Sequence, residues 1–335
     1  MSFGEHVDTK SILADGWEGN AAHQWGIPLY PLGELGMAEY QALAQDDLQE
    51  TRKRSIGIFV HLLLNSTLGY IFVRNITRTV SMIRQRPDLL ASWCCLIQAL
   101  FGLVYAIAVA LFSTAAELSC RRMIWIAAVG LTVSPICVGA ALLQKAYMVH
   151  SSNKWLLVAG IVLLFPQPYF TYLSWTSPAT IVAGVGCLVI YPQEMPWVKL
   201  ALDAPINILF SAAFIVVIYR QYRRFGSSAW ARLMRNGIQT MCLIVLSNVV
   251  CMLGVAFNLA GLFSELFFAL DWLITSTLLV YHCATMANMR IETRDRKRSP
   301  STDFYMRTSV VYTRSENLDD PTKYGPLSSK LHAKM

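Results

Sequence analysis

The side chains best able to do chemistry in this 335-residue sequence are few, and they stand in apolar surroundings. Asp271 lies inside the tract LFSELFFALDWLITSTLLVYHCA, with Glu265 near its start and Asp203 and Asn207 at the start of another apolar tract. An ionisable group in hydrocarbon is costly, so it faces the interior of a helix bundle and marks a functional position. Asp203, Asn207, Glu265, Asp271 and Trp272 are therefore candidates for ligand contact. An interhelical hydrogen bond is the alternative role for Asp271. It is also the expected role of buried amides such as Asn65 and Asn248, because such bonds join membrane helices. The aromatic cluster around Trp272 fits plain packing or an interfacial belt equally well.

Catalysis has little to work with. A catalytic zinc needs three converging protein ligands and an open position. The histidines are His6, His23, His61, His150, His282 and His332, and no two have a helical ligand spacing. No phosphate-binding loop, dinucleotide turn or Gly-x-Ser-x-Gly elbow occurs. No lysine lies within the seventh apolar tract to form a retinal Schiff base. The expectation is a protein that is not an enzyme, with neither metal nor cofactor and with no nucleic-acid partner.

The elements that must position these residues follow from composition. The chain is 55% hydrophobic and 15% charged, whereas soluble domains carry roughly a quarter charged residues. Apolar tracts fall at about 55–73, 89–112, 123–143, 155–175, 200–219, 238–258 and 262–284. Each approaches the roughly 20 residues that cross a bilayer core as a helix. The fold class expected is an all-α, seven-transmembrane helix bundle embedded in the lipid bilayer. Pro166, Pro168 and Pro205 free backbone carbonyls and predict kinks in the fourth and fifth helices.

Residues 178–193, PATIVAGVGCLVIYPQ, are β-branched around Gly184–Val185–Gly186 and read as a β-hairpin in the loop after helix four. A short eighth span or re-entrant segment is the alternative. Residues 1–53 are acidic and read as an extracellular, largely flexible tail without a signal peptide, and 289–335 as a cytosolic tail too polar to fold alone. The bundle between them covers 54–288.

Basic residues orient the spans. With seven of them, Arg74, Arg78, Arg84, Arg86, Lys145, Lys154, Arg220, Arg223, Arg224, Arg232, Arg235, Arg290, Arg294, Arg296, Lys297 and Arg298 share one side. That side is expected to be the cytosol, leaving the N-terminus outside. Arg52, Lys53 and Arg54, directly before the first span, pull the other way. Eight spans would put both ends inside but would export the four arginines of 74–88. In either topology the C-terminus is cytosolic.

Cys120 precedes the third span and Cys187 lies in the loop after the fourth, so seven spans put both outside, where disulfides persist. In this arrangement the chain resembles a G-protein-coupled receptor. The resemblance implies that Cys120 and Cys187 pair, tying the hairpin to the outer end of helix three. It also implies that Arg220, Arg223, Arg224, Arg232 and Arg235, with Arg294, Arg296, Lys297 and Arg298, face a heterotrimeric G protein. A plasma-membrane receptor for an extracellular ligand is then the expected function. The sequence departs from the largest receptor class: the inner end of helix three reads ALLQKAYMVH and helix seven ends STLLVYHCATM.

Three alternatives remain, one of them a membrane scaffold with no ligand. Plain anchoring to anionic lipid accounts for the same basic residues. A small-solute or ion-coupled transporter, with Asp271 as its proton or ion site, accounts for the same architecture. Pro166–Gln167 and Pro192–Gln193 superficially resemble the pairs of PQ-loop transporters. They lie too close together to mark two three-helix repeats.

Overall fold

The computed structural model describes residues 13, 16–85, 87, 89–114, 118–149, 154–192, 194–225 and 228–298. They divide into two units, Met1–Ala284 and Thr285–Met335. In the second unit the backbone is helical to Arg298, and 299–335 lie outside the described residues.

Helices cover every apolar tract of the sequence. They are α1 (Met37–Ala42), α2 (Leu48–Gln85), α3 (Leu90–Thr114), α4 (Cys120–Val149), α5 (Lys154–Leu164), α6 (Pro168–Thr176), α7 (Met195–Phe225), α8 (Ser228–Ala256) and α9 (Leu266–Arg298). By length and apolar composition, five described segments can each cross a bilayer: Leu48–Gln85, Leu90–Thr114, Cys120–Gln144, Lys154–Thr176 and Gly261–Thr285. The chain is thus a multi-pass helical membrane protein. Cys242–Ala256 in α8 is a shorter apolar stretch.

The exposed surface of α3 explains why lipid is the solvent. Trp93, Ile97, Leu100, Val104, Ile107 and Leu111 are all more than 40% exposed. Their spacing of three and four residues places them on one helix face. In water such a face would cost about 25 cal/mol per Å² of apolar area; in hydrocarbon it costs nothing. The opposite face, with Cys94, Cys95, Gln98, Ala99 and Gly102, is buried.

Asp47 caps α2, its Oδ1 accepting from the backbone N–H groups of Gln49 at 2.8 Å and Glu50 at 3.2 Å, two of the donors that a helix start leaves unpaired. Pro168 opens α6 and separates it from α5, so the fourth apolar tract is broken where the prolines predict. Pro205 lies inside a continuous α7. α2 packs on α3, α3 on α4, α7 on α8, and α4 on α6 and α7. Amides join the helices: Asn65 Nδ2 donates to Ala106 O at 2.8 Å, and Gln98 Nε2 to Ser134 Oγ at 2.6 Å.

The loop after α6 is a two-stranded antiparallel hairpin, β3 (Ala179–Val182) and β4 (Gly186–Val189), as the sequence predicts (β1 and β2 belong to the N-terminal region below). Gly184 and Gly186 have φ of 81° and 97°, which only glycine adopts without strain. A side chain at 186 would also meet the His61 ring. All of β4 is buried.

Residues 16–47 carry structure of their own. Strands β1 (Ala22–Gln24) and β2 (Ile27–Leu29) pair around Trp25–Gly26, both in the left-handed region. The segment then seats on the hairpin. Gly33 lies so close to Ala179 that an added Cβ would come within 2.2 Å of its carbonyl oxygen. Buried Arg121 forms a 2.6 Å ion pair with Glu34 and donates to Pro28 O. Arg54 donates to the Tyr40 carbonyl and stacks over its ring. Burial raises the pKa of the Tyr40 phenol, with the Arg54 guanidinium opposing the shift. Met37 and Tyr40 thereby join Phe112, Met123, Ile181 and Val189 in one apolar cluster.

Candidate functional site

Two cavities lie inside the first unit. The first, of about 40 Å³, is lined by residues of α4, α7, α8 and α9 including Lys199, Asp203, Asn207, Asn248, Asp271 and Trp272. The second, of about 80 Å³, lies against the hairpin and is lined by His61, Tyr105, Cys187, Val189, Tyr191, Glu265 and Trp272 among others. Leu131, Phe268 and Trp272 belong to both walls.

The first cavity is built around charge. Lys199 and Asp203 are one helical turn apart on α7 and each is 3% exposed. Lys199 Nζ lies 2.9 Å from Asp203 Oδ2. Gln167 Nε2 donates to Asp203 Oδ1 at 2.9 Å. Asn248 Nδ2 lies 3.3 Å from both Asp203 Oδ2 and Asp271 Oδ2, and Ser247 Oγ donates to Asp271 Oδ1 at 3.2 Å. Four helical segments, α6 with its preceding turn, α7, α8 and α9, thus meet through hydrogen bonds. Two carboxylates face one ammonium.

The second cavity is built around aromatic rings and one carboxylate. Glu265, immediately before α9, accepts from the Val189 N–H at 2.9 Å and so holds β4. His61 Nε2 contacts Val185 O at 2.5 Å and holds the hairpin turn. Tyr105 and Trp272 lie with centroids 5.9 Å apart, and Tyr191 and Phe268 6.1 Å apart. The sulfurs of Cys120 and Cys187 are at disulfide-bonding distance, with Cα atoms 5.6 Å apart, so α4 and β4 are joined at this cavity.

Of the five residues expected to contact a ligand, Asp203, Asn207, Asp271 and Trp272 come together in the first cavity. Glu265 is in the second, and Trp272 lies, with Leu131 and Phe268, in the wall common to both. Sequence reasoning missed Lys199. The i, i+4 spacing to Asp203 was the available signal. It also missed Gln167, which is fully buried, and the aromatic partners Tyr105 and Tyr191. The side chains of Arg220, Arg223, Arg224, Arg232, Arg235, Arg294, Arg296, Lys297 and Arg298 lie outside the described residues. No protein-family model and no curated protein matches the chain.

Proposed function

We propose that the chain is a seven-span plasma-membrane receptor with its N-terminus outside and its C-terminus in the cytosol. A small extracellular ligand binds beneath the β3–β4 hairpin and biases the packing of α7, α8 and α9. A heterotrimeric G protein reads that change at the basic ends of the inner loops, Arg220 to Arg235 and Arg294 to Arg298. The observation that carries this reading is the hairpin itself. Cys120, His61 and Glu265, from three different places in the chain, fasten it over a cavity. Such a cover gives a pocket a defined wall on the side where disulfides persist.

The test has two arms. Tags on residues 1 and 335 of intact cells should show the first open to antibody and the second closed. Replacing Arg223 and Arg224 should abolish G-protein activation while leaving ligand affinity unchanged. Both ends in the cytosol, or unchanged activation, would overturn the receptor reading.

The Lys199–Asp203–Asn248–Asp271 network favours a second reading, a small-solute transporter coupled to a proton or cation. It predicts saturable flux into vesicles that Asp271→Asn abolishes. Absence of flux across a broad solute panel removes it.

A further inference from the structure

We infer that the cavity beneath the hairpin binds a compact organic cation, a primary or methylated ammonium group, with Glu265 as counter-ion and aromatic rings as walls. The inference rests on the receptor reading only in taking this cavity as the ligand's site.

Glu265 is a carboxylate set among rings, and its one hydrogen bond among the described residues is from the Val189 N–H. None of the ion pairs among the described residues involves it. The imidazole of His61 lines the same cavity, but its Nε2 is against Val185 O. Glu265 is half-buried, and a partly desolvated carboxylate without a cation is completed by a positive charge.

The rings say what kind of cation. Tyr105, Tyr191, Phe263, Phe268 and Trp272 all line the cavity. Ring faces attract cations that shed water readily, and cages of this composition recognise quaternary ammonium groups. A strongly hydrated metal ion would call for several oxygen ligands, whereas this wall offers mainly carbon. Size gives a second constraint. At about 80 Å³ the cavity is far below the roughly 300–1,000 Å³ of drug-sized sites, so it admits a headgroup and not a large ligand. Trp272, a wall of this cavity, is 3% exposed and its Nε1 has no hydrogen-bond partner among the described residues, so a buried donor there is unsatisfied.

The experiment uses the full chain purified in lipid nanodiscs and titrated with tetramethylammonium chloride, with sodium chloride and neutral tert-butanol as controls. The readout is thermal unfolding. Saturable stabilisation by tetramethylammonium alone is expected. Glu265→Gln should weaken it at least tenfold, since the amide oxygen can still accept from Val189 and hold the hairpin. Tyr105→Phe should retain binding and Tyr105→Leu should weaken it, because the ring face and not the hydroxyl makes the contact. The inference is overturned by no saturable shift with the native chain, by equal stabilisation with tert-butanol, or by unchanged affinity in Glu265→Gln. No G protein is present, so the titration reads binding alone: its failure would sink this inference and leave the receptor reading to the Arg223 and Arg224 test, and failure of that test would leave ammonium binding standing.

Discussion

Lys199 and Asp203 form an ion pair at 2.9 Å in which neither side chain is more than 4% exposed. One turn of α7 thus carries both charges of a pair that lipid could not tolerate singly. Removing one partner of a buried pair leaves an unpaired charge, at a cost of about 3–5 kcal/mol. Lys199→Met should therefore lower thermal stability sharply in nanodiscs. Lys199→Met combined with Asp203→Leu should recover much of the loss. A double variant no more stable than the single one would refute the pairing.

The Cys120–Cys187 link closes a loop of 67 residues. Chain-entropy reasoning gives such a crosslink about 4 kcal/mol of stabilisation. Cys120→Ser, or reduction with dithiothreitol, should lower the unfolding temperature and reduce surface expression. Equal expression and equal unfolding temperatures would count against the link.

Gly33 is the point at which the N-terminal segment meets the hairpin. An added methyl would come within 2.2 Å of the Ala179 carbonyl oxygen, a backbone atom that no rotamer change can move. Gly33→Ala should cost about 1–3 kcal/mol, the range for overpacking. It should also make residues 16–47 more sensitive to limited proteolysis. Protease resistance like that of the native chain would show that the contact is dispensable.

Gly130 on α4 lies against the indole of Trp272, where a Cβ would come within 2.2 Å of the ring. Gly130→Ala should displace the indole and reduce tetramethylammonium affinity, while Gly69→Ala, whose Cβ meets only the Ala106 methyl at 3.5 Å, should not. Equal titration curves for the two variants would remove Trp272 from the binding wall.

What the sequence disclosed depended on how local the signal was. Apolar tracts bounded by basic residues placed the helices, because burial in lipid is decided residue by residue along a tract. Gly184 and Gly186 marked the hairpin, because a positive φ leaves its mark in residue type. The meeting of Asp203 with Asp271 through Asn248 was hidden, since it depends on how α7, α8 and α9 lie together. Lys199 was hidden differently: at the end of an apolar tract it looks like any interfacial cation. In residues 16–47 the polar composition masked Met37 and Tyr40, which are buried in one cluster with Ile181 and Val189 of the hairpin.

Trp272 is a partition wall. Its indole is the boundary of an aromatic chamber on one side and of a charged one on the other. A guest that displaced the indole from either side would alter the room in the other compartment, whose wall Leu131 and Phe268 also share. By linkage such an effect would be mutual: whatever a guest beneath the hairpin did to the Asp271 side would return to that guest in equal free energy.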